Sequence, residues 1–281
     1  MTAARPIAAS LVAFDGHPVE LALEAIARAG ATRVEPAFIA GTMLFAEDDL
    51  SETSGRAMSR LAEAAGLGCV AVSMHMDCGA EDARPRLERR LRYAAGLGAQ
   101  FLITNTARRD RRDAFLRLIA DVLPEAERLD VAFAFENPGH GADDLLRTGA
   151  DAGTLLAAIG SSHATLNYDV GNTLTNSEGA VRPEADLLLA LPIARHMHLK
   201  DMTLRNGAWS YSALGDGDLD YHAILRTLAS RPDLPVCVEL PMRQVRLAHR
   251  PPTRAGELLP IPALRDLVTR SVRRVRSGVA T

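Results

Sequence analysis

The sequence predicts an α/β fold, a single (β/α)8 barrel occupying residues 1–281 as one domain. Three observations carry that expectation. Eight short apolar runs alternate with longer amphipathic ones over a length that suits one such barrel. No glycine-rich G-x-G-x-x-G turn follows the first run, as a dinucleotide-binding open sheet would need. No linker or shift in composition divides the chain.

The apolar runs, read as strands, cover residues 7–14, 33–38, 68–74, 101–105, 131–136, 164–169, 194–200 and 236–239. Helical periodicity fills the gaps, as in residues 19–31, 54–68 and, after Pro85, 86–99. Gly30, Gly66 and Gly96 are placed to cap these three helices at their C-termini. A last helix is expected over residues 261–276. One region is irregular: residues 241–262, "PMRQVRLAHRPPTRAGELLPIP", rich in proline and carrying Arg243, Arg246, Arg250 and Arg254. It is too long for a simple strand-to-helix connection. Its prolines favour an ordered arm, expected to close one side of a pocket or to pack on a second protomer of a homodimer or homotetramer.

Composition excludes several classes. A hydrophobic fraction of 47% and a charged fraction of 24% are those of a globular protein. A net charge of −3 argues against a nucleic-acid partner or an anionic membrane surface. Cys69, Cys78 and Cys237 form no disulfide framework and no CxxC, which fits a reducing compartment. The first residues lack the basic and apolar regions of a secretory signal. No apolar run approaches the roughly 18 residues of a membrane span. The expectation is a cytoplasmic protein with no membrane partner.

Chemistry appears where the runs stop. The fifth ends at Glu136, the sixth at Asp169, the seventh reaches His198 and the eighth ends at Glu239. Four consecutive strands thus deliver one ligand-type side chain each at the C-terminal end, the catalytic face of such a barrel. Any one alone is readily a helix cap, a surface group or a core histidine. Together they are a constellation. Three carboxylates within a few ångströms repel by about 4 kcal/mol per pair at an effective dielectric of 20, so a cation is expected among them. The set is oxygen-rich and hard, which favours one divalent cation, Mn²⁺ first, with Mg²⁺ or Co²⁺ as alternatives. Cys237 would lie one layer deeper, in the core.

Lys200 is the only lysine among 32 basic residues. On a strand it points to the same side as His196 and His198. An ammonium is a compact, tunable charge where a guanidinium is larger and fixed. Lys200 therefore reads either as a proton carrier or donor to substrate, or as the ion-pair partner of Asp201 or Asp216.

The segments "FENPG", "NYDVGN", "HMHLKD", "ALGDGDLDY" and "VCVELP" resemble, in order and spacing, the xylose isomerase-like TIM barrel superfamily. The likeness is to its sugar phosphate isomerase/epimerase group, which includes ketose 3-epimerases and inosose dehydratases. The resemblance implies that Glu136, Asp169, His198 and Glu239 hold one divalent cation and that Glu136 and Glu239 carry the acid/base work. It makes Arg205 a contact for sugar hydroxyls. Asn172 stands where ketose 3-epimerases of that group usually place a histidine, a departure from a simple hexulose 3-epimerase. His75 and Asn105, at the ends of the third and fourth runs, are further candidates for substrate binding. So are Asn172, and Arg243 and Arg246 of the arm. Glu35 would orient a sugar hydroxyl or a neighbouring cation.

The leading expectation is a metal-dependent isomerase or epimerase acting on a small carbohydrate or cyclitol. A cation on the carbonyl oxygen and an adjacent hydroxyl would stabilise the enediolate left when a proton departs. Glu136 or Glu239 takes that proton, and the other carboxylate or Lys200 returns one. Loss of a β-leaving group instead gives the alternative, a lyase or dehydratase on a keto-sugar, keto-glycoside or keto-inositol. Two other classes are weaker readings. A nuclease of the endonuclease IV type needs more histidines and a basic surface. A non-catalytic sugar-binding subunit would be expected to have lost a ligand.

Overall fold

The computed structural model describes residues 5–247, 250, 252–255 and 257–278. Strands β1 (Ile7–Ser10), β2 (Arg33–Glu35), β3 (Ala71–Ser73), β4 (Phe101–Thr104), β5 (Ala132–Glu136), β6 (Ala164–Asp169) and β7 (Ala194–Leu199) alternate with helices. After β7 the chain forms a hairpin, β8 (Asp201–Arg205) and β9 (Ala208–Ser212), before β10 (Val236–Val238). Strands β11 (Gln244–Leu247) and β12 (Thr253–Arg254) follow.

Eight strands pair in parallel in the order β2-β1-β10-β7-β6-β5-β4-β3. The ends of that order meet through parallel bridges, Arg33 with Gly68 and Ala37 with Ser73, so the sheet curls into a barrel. Buried on both faces, these strands read as continuous apolar runs rather than alternating ones. Most of the core lies outside the barrel, between sheet and helices. A smaller apolar cluster of Ala71, Phe101, Ile103, Ala132 and Ala134 fills the lower part of the interior. Toward the C-terminal ends of the strands the interior is polar, with Glu35, Ser73, Glu136, Asn167, Asp169, His196, His198 and Glu239 all buried.

The helices are α1 (Val19–Arg28), α2 (Glu52–Ala64), α3 (Ala83–Leu97), α4 (Arg112–Leu129), α5 (Gly149–Ile159), α6 (Val170–Asn176), α7 (Pro183–Ala190), α8 (Tyr221–Leu228) and α9 (Ile261–Gly278). Two details of α3 depart from the sequence reading. It starts at Ala83 and takes Pro85 into its first turn, where a missing N–H leaves no helical bond unmade. Its C-cap is Gly98, at φ +76°, and Gly96 lies inside the helix. Gly96 is there for close approach: a Cβ on it would stand 2.1 Å from Glu52 O, and one on Gly55 2.2 Å from Tyr93 O, so α2 and α3 cross backbone to backbone. The first strand is also shorter than its apolar run, because Leu11–Phe14 turn into a 3-10 helix capped by the Ser10 side chain.

Above the barrel mouth lies a second sheet that the sequence reading lacked. It is antiparallel, in the order β12-β11-β9-β8. The "ALGDGDLDY" segment returns the chain from this hairpin by wrapping Asp201, whose carboxylate accepts from the backbone N–H groups of Met202, Gly215, Gly217 and Leu219 at 2.8–3.3 Å. The described part of the arm after β10 is ordered, as β11 and β12. Arg254 docks side-on to Asp15, at 2.8 and 3.0 Å, and Arg243 lies 3.7 Å from the same carboxylate. Residues 248, 249, 251 and 256 of the arm fall outside the described residues. No helix among the described residues is long and apolar enough to cross a membrane.

Candidate metal centre

Glu136 and Asp169 are the last residues of β5 and β6, His198 is the penultimate residue of β7, and Glu239 follows β10 directly. Asp169 stands opposite His198 in the ladder, and Glu136 opposite Asn167. All four side chains point inward and are 3% exposed or less. His198 Nδ1 lies 2.6 Å from Glu136 Oε2, 3.6 Å from Glu239 Oε2 and 3.8 Å from Asp169 Oδ2. The four residues taken from distant parts of the sequence are thus brought to one point.

A ring of polar groups holds them there. Glu35 Oε1 lies 2.9 Å from His198 Nε2 and accepts from Ser73 Oγ at 2.6 Å. Asn167 donates to Glu136 Oε2 at 2.5 Å, which leaves its Oδ1 facing His196 Nδ1 at 2.8 Å. Asn172 donates to Glu136 Oε1 at 3.0 Å. Asp169 caps α6 by accepting from Asn172 N at 2.8 Å, and its backbone N–H and carbonyl are both taken by Asn137.

Lys200 is buried and sits against two of the carboxylates. Its Nζ is 2.7 Å from Asp169 Oδ2, in contact with Glu239 Oε2, and 3.3 Å from Asn172 Oδ1. The expected partners Asp201 and Asp216 are engaged elsewhere: Asp201 with backbone amides, Asp216 with Arg270. The lysine stem lies on Gly171, where a Cβ would stand 2.2 Å from Lys200 Cγ. A slot this narrow between two carboxylates fits an ammonium on a thin stem better than a planar guanidinium.

The electrostatics follow from burial against charge. Burial opposes a charged His198, but Glu35, Glu239 and Glu136 outweigh it and raise its pKa. Burial pushes Asp169 up to about 7, with Lys200 pulling the other way. Glu239 is held below the ordinary carboxylate range: burial works against this, and Lys200 and His198 overcome it. Lys200 is raised, because Asp169 and Glu239 more than offset its burial. Burial lowers His196 to about 4.

Asp169 Oδ2, His198 Nδ1 and Glu239 Oε2 are each buried without an aligned hydrogen-bond partner among the described residues. Lys200 Nζ lies against the Asp169 and Glu239 atoms, and Glu136 Oε2 against the histidine nitrogen. Three buried carboxylates and one imidazole aimed at one point, with a single ammonium among them, fit a hard divalent cation. Glu136, Asp169 and His198 offer ligand atoms within 4.8 Å of one another. Glu35, His196 and His198 form a second such group, in which Ser73 and His198 share Glu35 Oε1 while Oε2, 3.5 Å from His196 Nε2, has no hydrogen-bond partner among the described residues.

Above this centre opens a pocket of about 390 Å³. His75, Asn105, Asn172, Lys200, Glu136, Glu239 and Arg246 line it. His75 Nε2 is 3.8 Å from Glu136 Oε1. Two candidates stand away from it. Arg205 is exposed at the tip of the β8–β9 hairpin, since the chain after Asp201 runs outward instead of entering a helix. Arg243 turns toward Asp15 and Ala255 O, and the lining residues of the arm are Pro241, Gln244, Arg246 and Pro252. The sequence reading missed Asn137, Asn167 and the support that Ser73 gives Glu35. Asn167 had a signal: it lies two residues before Asp169, on the same face of the strand.

The sequence profile of the xylose isomerase-like TIM barrel family matches residues 23–261. The chain belongs to that family. None of the curated proteins compared with it matches. Among solved structures it is similar to an L-ribulose 3-epimerase, with 16% identity, 98% of this chain and 95% of that one covered, and a TM-score of 0.72. A 3-keto-D-glucoside 4-epimerase from E. coli gives 15% identity, coverage of 96% and 99%, and a TM-score of 0.67. A "probable 3-DHS dehydratase" from Bacillus anthracis gives 14%, coverage of 95% and 97%, and 0.68. At these identities the likeness is one of fold.

Proposed function

We propose that this chain is a divalent-metal-dependent enzyme that removes a proton next to the carbonyl of a small carbohydrate or cyclitol and returns it as an isomerase or epimerase. The observation that carries this reading is the convergence of the buried side chains of Asp169, His198 and Glu239 with Glu136 at the floor of the pocket. Glu136, Asp169, His198 and Glu239 would hold the cation, Mn²⁺ in the first instance. When bound, it supplies the positive charge that stabilises negative charge developing on the substrate oxygens.

The chain's own residues do the rest. Glu239, held ionised by Lys200 and His198, is the base. Glu136 is engaged on both oxygens by Asn167 and Asn172, which suits a carboxylate fixed in place. Lys200, kept protonated by its neighbours, serves as a donor and not as a base. His75, Asn105 and Asn172 offer hydrogen bonds to hydroxyls from the pocket wall. The family and the epimerases of like fold are compatible with this reading.

The test has two readouts. Elemental analysis after loading with Mn²⁺ is expected to find one ion per chain. Incubation in heavy water with a panel of keto-sugars and keto-inositols is expected to give deuterium at carbon with one of them, whichever product forms. Lack of metal uptake, or uptake of about three zinc ions in its place, overturns the reading.

A further inference from the structure

Arg246, on β11, is a buried guanidinium without a carboxylate. It is 8% exposed, lines the pocket and donates from Nη1 to Gly139 O. Its Nε is buried with no hydrogen-bond partner, and it forms no ion pair among the described residues. Its neighbours on the arm differ: Arg243 and Arg254 both turn to Asp15. Removing a guanidinium from water without pairing it is costly, so a pocket that keeps one implies a partner that arrives.

The position is built. Trp209, itself buried, is the cross-strand partner of Arg246 in the upper sheet. Gly139 lets the guanidinium approach: a Cβ there would stand 2.7 Å from Arg246 Nη1 and 2.6 Å from Asn172 Oδ1. Asn172 in turn donates to Glu136. Arg246 is therefore one residue removed from the candidate metal centre, on the same pocket wall. The other charged groups of the pocket do not compete. Asp77 turns Oδ1 to Gly79 N at 2.7 Å and makes no ion pair with Arg246. Glu136 and Glu239 face His198 and Lys200.

We propose that Arg246 binds a carboxylate on the substrate, gripping it side-on through the Nε–Nη2 edge while the carbonyl end lies at the metal centre. The pocket then takes a sugar acid or a cyclitol acid in preference to a neutral sugar. With Nη1 committed to Gly139, the free edge has the two parallel donors that match one carboxylate. A phosphate dianion would call for more donors than this single edge offers. The inference deepens the function proposed above and rests on it for the orientation of the substrate.

The test is equilibrium dialysis of the purified protein, metal-free and Mn²⁺-loaded, against labelled D-gluconate, its neutral counterpart sorbitol, and inorganic phosphate. Gluconate is expected to bind the wild-type protein at least about tenfold more tightly than sorbitol in both metal states. Arg246→Gln is expected to abolish the preference for gluconate over sorbitol; Arg246→Lys should fall between. The proposal is overturned if wild-type protein does not prefer gluconate to sorbitol. It also fails if the preference survives in Arg246→Gln, or if phosphate binds more tightly than gluconate. Failure to take up Mn²⁺ in the same dialysis counts against the metal-dependent reading and leaves an anion preference measured without metal standing. Uptake of Mn²⁺ with no anion preference does the reverse.

Discussion

Glu35 aims His198. Its Oε1 meets the ring at Nε2, 2.9 Å away, and so the other nitrogen, Nδ1, is the one turned toward Glu136, Asp169 and Glu239. A carboxylate behind a ligating imidazole fixes both its tautomer and its rotation. Both residues are buried, and Ser73 fixes Glu35 from the other side.

Glu35→Leu is accordingly expected to weaken Mn²⁺ binding by about 10- to 100-fold. Glu35→Gln, which still accepts from Nε2–H, should lose less. Competition with a chelator of known affinity measures both. Unchanged affinity in Glu35→Leu would show that the ring is held by packing alone.

Ligand and base should separate in Asp169 and Glu239. With Glu239→Gln, wash-in of solvent deuterium should fall by a factor on the order of 10² or more. Asp169→Asn should chiefly lower metal affinity, with wash-in partly restored by excess cation. Equal losses in the two variants, neither rescued, would argue against distinct roles.

Lys200→Met removes the ammonium between Asp169 and Glu239 and leaves buried carboxylates without it. Breaking a buried pair from one side costs about 3–5 kcal/mol. The metal-free variant should therefore melt well below the wild type, and saturating Mn²⁺ should raise its Tm by more than it raises that of the wild type. Equal metal-induced shifts would mean that Lys200 and the cation do not share those carboxylates.

His196 gives a pH signature. Its folded pKa is lowered to about 4 by burial, against an ordinary value of 6.5. Between these the unfolded chain takes up a proton that the folded ring refuses. Its contribution to stability is thus present above about 6.5 and is lost as pH falls toward 4, by on the order of 3 kcal/mol. Asp169, raised to about 7, acts in the opposite sense over the same window. The comparison with His196→Gln isolates the histidine. Urea unfolding at pH 7.5 and 4.5 should show the wild type losing ground against the variant as pH falls. A constant difference between the two would refute a buried neutral His196.

The barrel and the convergence of the four candidate ligands were legible in sequence because both obey local rules. A strand buried on two faces is an apolar run, and a ligand at its C-terminal end is where the run stops, as at Glu136, Asp169 and Glu239. The supporting residues were half legible. Asn167 and His196 alternate with the ligands on their strands, but nothing local says that one would hold the other. Gly96 was misread as a cap because close approach to Glu52 depends on a helix from elsewhere in the chain. Arg205, taken from the family resemblance, and Arg243, taken from its place in the arm, stand away from the pocket for a related reason: Arg205 is carried outward on a hairpin that rises out of the barrel, and Arg243 turns to Asp15 from a distant part of the chain.

Sequence alone determined the (β/α)8 order, the four converging side chains and the singular Lys200. Each is written in periodicity, in spacing along a strand, or in composition. Tertiary structure alone decided that Lys200 pairs with Asp169 and Glu239, that Arg243 and Arg254 take Asp15, and that Arg246 is left facing the pocket. Lys200 is placed by β7 standing between β6 and β10 in the barrel, Arg246 by the pairing of β11 with β9, and Arg254 by the pairing of β11 with β12. These pairings join segments far apart in the chain, and no local pattern in the arm encodes them.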